Sequence, residues 1–209
     1  MGFAHGVAEG DAGFIQNQSG LHFWPYFYLG AKHMVTGYDH LLFLAGVIFF
    51  LYKLRDVAVY VTLFAVGHSL TLLCGVWFNI PANAYLIDAI IGFSVVYKAF
   101  ENMGGFDNLA HKPDTRYMVA IFGLFHGFGL ATKLQALNIS PDGLLGNLVA
   151  FNLGVEAGQL SALLVILTVM NMWRRNKNAF EAQAYAANTM LMCCGFLLMG
   201  YQLTGYFVA

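Results

Sequence analysis

Long stretches of this chain lack the charged residues that a water-soluble protein needs on its surface. Between short polar breaks lie six predominantly apolar runs. Each is at least as long as the roughly 20 helical residues that cross a hydrocarbon core of about 30 Å. Only 10% of all residues are charged and 59% are hydrophobic, whereas a soluble domain has about 25% charged residues. The pattern predicts an all-α, polytopic membrane helical bundle and excludes an ordinary soluble domain.

The apolar runs define six predicted spans, numbered 1 to 6 in chain order. They cover residues 22–52, 56–78, 83–103, 116–138, 144–173 and 181–208. Residues 1–20 lack the basic start and the apolar middle of a signal peptide, and we expect them to form a short tail. Residues 21–209 then make one six-helix transmembrane domain.

The basic residues between the spans predict the orientation of the chain. All seven lie in alternate connections: Lys53, Arg55, Lys112, Arg116, Arg174, Arg175 and Lys177. Cytoplasmic loops of membrane proteins carry the excess of Lys and Arg. We therefore expect both termini to lie outside the cytoplasm.

Charge and cysteine usage exclude two classes of function. The formal net charge is -1, and the chain has no basic patch of the kind that binds nucleic acid. The three cysteines have no CxxC spacing and indicate no disulfide framework. Membrane lipid is an expected partner, and the sequence leaves open a homo-oligomer or a partner membrane subunit.

Ionisable residues inside the predicted spans are the strongest chemical signal. They are His33, Asp39 and His40 in span 1, His68 in span 2, His126 in span 4 and Glu156 in span 5. A charge at the membrane centre costs a few kcal/mol, so such residues normally face a partner, a cavity or an ion. At about 1.5 Å per residue, His68 and His126 lie roughly 15 to 18 Å from the inner end, and Glu156 reaches a similar depth.

Imidazole and carboxylate groups together suit a divalent transition metal ion. Nickel, zinc, cobalt, copper and ferrous iron all accept this ligand set. The six ionisable residues are therefore candidate metal ligands, whereas the sequence identifies no catalytic residue.

Glycines beside these residues add a geometric expectation. His33 and His40 would lie about 10 Å apart along a straight helix, too far to share an ion. A helix break at Gly37 would bring them together, as in the interrupted helices of transporters. Asn152, Glu156 and Gln159 form one polar stripe that we expect to face the interior of the bundle. Glycines around His126 and Glu156 would let their helices approach closely.

Four stretches of the chain resemble the HupE/UreJ nickel permeases and their relatives. Residues 33–40, HMVTGYDH, fit the H-x5-D-H signature, and residues 66–72, 122–129 and 151–160 match further motifs in order. The resemblance implies a six-helix protein of the bacterial inner membrane that handles nickel or a similar divalent ion. It also implies that the residues of the H-x5-D-H signature lie in the ion path.

Two other functions remain open on the sequence. The main alternative is an intramembrane zinc-type metallohydrolase, in which three His residues hold the metal and Asp39 or Glu156 is the general base. Ser69, next to His68, would polarise a substrate oxygen. The other is an assembly subunit whose polar residues only bind partner helices, which predicts no bound metal.

Overall fold

The fold is described by a computed structural model for residues 19–136 and 140–208. These residues form seven α-helices and no strand, which confirms the all-α prediction. The helices are α1 (Phe23–Thr36), α2 (Tyr38–Ile48), α3 (Leu54–Trp77), α4 (Ala84–Asn102), α5 (Thr115–Gln135), α6 (Leu144–Arg174) and α7 (Lys177–Val208). The predicted tail at residues 1–20 lies outside the described residues except for its last two positions.

Four of the helices are long and apolar enough to cross a membrane, namely α3, α5, α6 and α7. The apolar helix α2 has only 11 residues. The 19-residue helix α4 carries Asp88, Lys98 and Glu101. The architecture is therefore consistent with a helical membrane protein. Each predicted span coincides with one helix, or with two in the case of span 1, but length and apolarity identify four crossings rather than six.

Span 1 is interrupted at Gly37, as the sequence predicts. Gly37 has φ -74° and ψ 96°, an extended conformation that ends α1 and begins α2. Its amide donates to the carbonyl of His33 at 2.9 Å, and its carbonyl accepts from the amide of Leu41 at 3.1 Å. The break thus leaves no unpaired backbone group at Gly37, as a membrane interior requires.

The first closely packed helix pair is α1 and α6. A Cβ atom added at Gly30 would collide with the carbonyl of Phe151, and one added at Gly154 would collide with the carbonyl of Phe27. Leu21, just before α1, lies against Gly146, and Met34 lies against Gly158. Residue numbers therefore rise together along both helices, so α1 and α6 run parallel. Small residues allow this close approach.

The second pair is α3 and α5, which also run parallel. A Cβ atom added at Gly67 would lie 2.6 Å from the carbonyl oxygen of Ala120, and one added at Gly75 would lie 2.7 Å from the Cβ atom of Ala131.

The third closely packed pair is α4 and α7, which run antiparallel, with Gly92 against the backbone of Met199. The glycines that the sequence associates with close helix approach do lie at helix crossings.

One end of the bundle carries the basic connections 49–53, 103–114 and 175–176, and we call it the basic end. There Arg174 donates from Nη1 to the carbonyl of Leu51 at 3.0 Å and from Nη2 to the carbonyl of Ile48 at 2.6 Å. Asn102 donates to the carbonyl of Gly46 at 2.9 Å and to Oδ1 of Asn188 at 2.9 Å. These bonds tie the end of α2 to the ends of α4 and α6, and α4 to the first half of α7.

Candidate metal site

Four histidines from four helices meet in the interior of the bundle. The ring of His40 is central: its centroid lies 5.1 Å from that of His33, 5.9 Å from that of His68 and 4.9 Å from that of His126. His40, His68 and His126 are buried, and His33 is half-buried. The shared depth that the sequence predicts for the imidazoles is thus matched by direct ring contacts.

The break at Gly37 explains how His33 reaches His40. Seven residues of straight helix would separate the two side chains by about 10 Å along the axis. The change of direction between α1 and α2 brings the rings to 5.1 Å instead. A Cβ atom at position 37 would lie 2.7 Å from Nδ1 of His40, so the space beside the imidazole requires a glycine.

Three of the imidazoles are close enough to share one ion. His33, His40 and His68 each offer a ring nitrogen, and these nitrogens all lie within 4.8 Å of one another. Nitrogen donors at such separations can converge on a divalent transition metal. His126 is a neighbour of this group through its contact with His40.

Hydrogen bonds fix the orientation of two of the rings. Nδ1 of His40 lies 2.9 Å from Oδ1 of Asp39, and Nδ1 of His126 lies 2.7 Å from the carbonyl oxygen of Phe122. In each pair Nδ1 carries the proton and donates, because the partner only accepts. The nitrogen through which either ring would bind a metal is then Nε2. Metal-binding histidines commonly have one ring nitrogen held in this way.

His68 is the most buried of the four histidines and differs from the others in its contacts. Its side chain is 0% exposed, and neither ring nitrogen has a hydrogen-bond partner among the described residues. A buried polar nitrogen without a hydrogen-bond partner lowers the stability of the folded protein by about 1–3 kcal/mol. A metal ion at one nitrogen would offset that cost.

The crossing of α3 and α5 places His68 at the level of His126. A Cβ atom at Gly127 would collide with the carbonyl of His68, so the two backbones touch beside the site. Thr71, one turn after His68, donates from Oγ1 to the carbonyl of Leu124 at 2.7 Å. The glycine next to His126 therefore positions both imidazoles.

Aromatic side chains surround the imidazoles. The ring centroid of His126 lies 4.9 Å from that of Phe64 and 5.4 Å from that of Phe43. The ring centroid of His33 lies 6.1 Å from that of Phe151. These phenylalanines were not predicted as part of the site, because apolar residues in an apolar span carry no distinguishing signal. They lower the local dielectric and strengthen electrostatic interactions at the site.

The polar stripe of α6 is only partly directed inward. Asn152 and Gln159 are buried, as predicted, but the side chain of Glu156 is exposed. The predicted convergence of Glu156 with His126 is therefore not found. The glycines explain this result: Gly154 and Gly158 face α1, and residues two positions away lie on the opposite side of a helix.

A comparison with family descriptions matches residues 9–209, essentially the whole chain, to "HupE / UreJ protein". No curated protein and no solved structure matches the chain. The match includes all six predicted ligand residues and the described part of the bundle. The chain therefore belongs to the HupE/UreJ family, whose membership implies a function related to nickel or cobalt transport.

Proposed function

We propose that this protein is a membrane permease for a divalent transition metal ion of the nickel and cobalt type. The observation that carries the proposal is the group formed by His33, His40 and His68, whose ligand nitrogens lie within 4.8 Å of one another. The buried imidazole of His68, which has no hydrogen-bond partner among the described residues, supports it. His126 joins as a fourth ligand or as a neighbour that receives the ion.

The donor set favours borderline metals. Imidazole nitrogen suits nickel, cobalt, zinc, copper and iron, whereas soft-metal sites use thiolate. Of the three cysteines, Cys74 and Cys194 are half-buried and Cys193 is exposed, and none belongs to the histidine group. Family membership favours nickel and cobalt within this range. Ligand roles for Asp39 and Glu156 remain predictions.

We further propose that the chain crosses the membrane six times. The parallel packing of α3 on α5 supports this topology, because the chain must return between them and α4 is the helix that joins their ends. The parallel packing of α1 on α6 supports it too. In this arrangement α1 and α2 together make one interrupted crossing, the basic end faces the cytoplasm, and both termini lie outside.

Metal content of purified protein tests the proposal. The protein is stripped with a chelator in detergent, reloaded with nickel or cobalt, and its metal is measured per chain. His68→Gln should reduce metal affinity at least tenfold. His111→Gln, at an exposed position in the connection 103–114, is the matched control and should bind like the wild type. Equal affinity in both variants would contradict the shared site.

A metallohydrolase is the second candidate, and one surface feature favours it. An almost wholly apolar groove of about 510 Å³ lies between α2 and α6, with Tyr38, Leu42 and Ser161 among its lining residues. A lipid-directed enzyme needs such a lateral opening. Purified protein that keeps a non-exchanging metal, shows no flux in proteoliposomes and cleaves a lipid or peptide would favour the enzyme.

A further inference from the structure

One buried ion pair of the bundle lies outside the histidine group. Asp88 of α4 and Lys133 of α5 form it, and Nζ of Lys133 lies 2.9 Å from Oδ2 and 3.1 Å from Oδ1 of Asp88. The side chain of Asp88 is 5% exposed and that of Lys133 is 16% exposed. Ionisable residues inside membrane bundles are rare and commonly mark an ion pathway. The pair is therefore a candidate for a role in ion movement.

The pair lies between the histidines and the end of the bundle opposite the basic end. Lys133 is two residues before the end of α5, and Asp88 is the fifth residue of α4. His126 precedes Lys133 by seven residues, so both lie on one face of α5, about 10 Å apart along its axis. In the proposed topology an ion that enters from outside reaches the level of the pair first and the histidines second.

Asp88 also approaches the histidine group. A Cβ atom added at Gly129, one turn from His126, would lie 3.2 Å from Oδ1 of Asp88. The missing side chain thus lets the carboxylate pack against the backbone of α5. Asp88 is close enough to Asp39 and His40 for electrostatic interaction with both. A cation at Asp88 is therefore within electrostatic reach of the histidines and can pass to them.

We propose that Asp88 is the first carboxylate to bind the metal ion on its way to the histidines, and that Lys133 is a tethered cation that occupies Asp88 until the ion arrives. The inference rests on the proposed transport function. Both oxygens of Asp88 are bound by the ammonium, so an entering ion must displace it. Lysine suits this role because its ammonium is a compact charge on a flexible stem. A divalent ion attracts the carboxylate with twice the charge of the ammonium, whereas sodium and potassium have no such advantage.

Removing the ammonium tests whether Asp88 binds metal. Lys133→Met leaves the buried carboxylate without a counter-ion, so the variant should unfold at a lower temperature than wild type in metal-free detergent solution. Added nickel should raise its unfolding temperature by more than it raises that of wild type, because the ion takes the place of the ammonium. The double variant Asp88→Asn, Lys133→Met has no carboxylate at this position, so the additional stabilisation by nickel should disappear.

Nickel flux separates an ion-binding carboxylate from a structural ion pair. Replacing both partners of a buried pair by neutral residues is often tolerated, so the double variant should fold and bind nickel at the histidines with wild-type affinity. Its flux in proteoliposomes should fall about tenfold, because the entering ion loses its first ligand. The matched control is Asp107→Asn, Lys112→Met, which removes an exposed ion pair and should transport normally.

The outcomes distinguish this inference from the function on which it rests. Wild-type protein without nickel binding or flux would overturn the proposed function and the role of Asp88 with it. A transporting wild type whose double variant has normal flux would overturn the role of Asp88 alone, because a structural pair predicts that result. Equal stabilisation of wild type and Lys133→Met by nickel would overturn it as well. Thermal unfolding in metal-free detergent shows which variants fold, and either readout decides on its own if the other variant misfolds.

Discussion

Nδ1 of His40 lies 2.9 Å from Oδ1 of Asp39, so adjacent residues form a buried carboxylate and imidazole pair at the start of α2. The carboxylate occupies the first turn of the helix, where negative charge is favourable. It fixes the tautomer and the orientation of the imidazole. Asp39 therefore acts on a metal through His40, whether or not it also binds the ion.

Asp39→Asn keeps the size of this side chain and removes its charge. We expect about 10- to 100-fold weaker metal binding, the usual effect of losing a carboxylate behind a metal-binding histidine. Nickel flux should fall in parallel while the fold persists. The control is Asp107→Asn, at an exposed carboxylate paired with Lys112. Metal content and flux are measured on both variants, and retained metal with lost hydrolysis would instead indicate a general base.

Gly37→Ala tests the space at the helix break. The added Cβ would lie 2.7 Å from Nδ1 of His40 and 3.0 Å from the carbonyl oxygen of His33. One of these groups must move, so metal affinity should fall at least tenfold. Gly200→Ala is the matched control, because nothing lies within 4 Å of a Cβ at that position. Wild-type affinity in Gly37→Ala would show that the imidazoles tolerate a displaced His40.

Much of this arrangement could be predicted from the sequence because each step depends on local signals. Apolar runs gave the helices, and a glycine between His33 and His40 gave the break. The rotation of α6 could not be predicted in the same way, because it depends on which face the glycines present to α1. Gly127 is next to His126 and brings it inward, whereas Gly154 and Gly158 are each two residues from Glu156 and direct it outward.

Gly127→Ala tests the crossing of α3 and α5. An added Cβ would collide with the carbonyl of His68, a backbone group that cannot move without shifting α3. Overpacking of this kind costs about 1–3 kcal/mol. We expect a lower thermal unfolding temperature together with weaker metal binding. Unfolding is followed in detergent by fluorescence, and a stable variant with normal affinity would mean that the helices separate without disturbing His68.

Arg174→Met tests the basic end of the bundle. Its guanidinium donates to the carbonyls of Ile48, Phe49 and Leu51 at the end of α2, of which that of Ile48 also accepts from the amide of Leu51. Losing the donors should destabilise the fold by about 1–3 kcal/mol, because buried carbonyls are left unsatisfied. The adjacent Arg175 is exposed, so Arg175→Met should have little effect. Thermal unfolding of the two variants checks the difference, and equal stability would contradict this role.

The last prediction concerns the membrane topology. With six crossings, a reporter active only in the cytoplasm should give a signal when inserted in the connection 103–114 and none when fused to the C-terminus. If only α3, α5, α6 and α7 crossed, these two results would be reversed, because α4 would no longer return the chain between α3 and α5. The parallel contacts of those helices, with Gly67 against Ala120 and Gly75 against Ala131, favour the first result. A reporter signal at the C-terminus would mean that α4 does not cross or that the basic end faces outward. A further insertion in the connection 49–53 separates the two, because that connection is inside if α4 fails to cross and outside if the basic end faces outward.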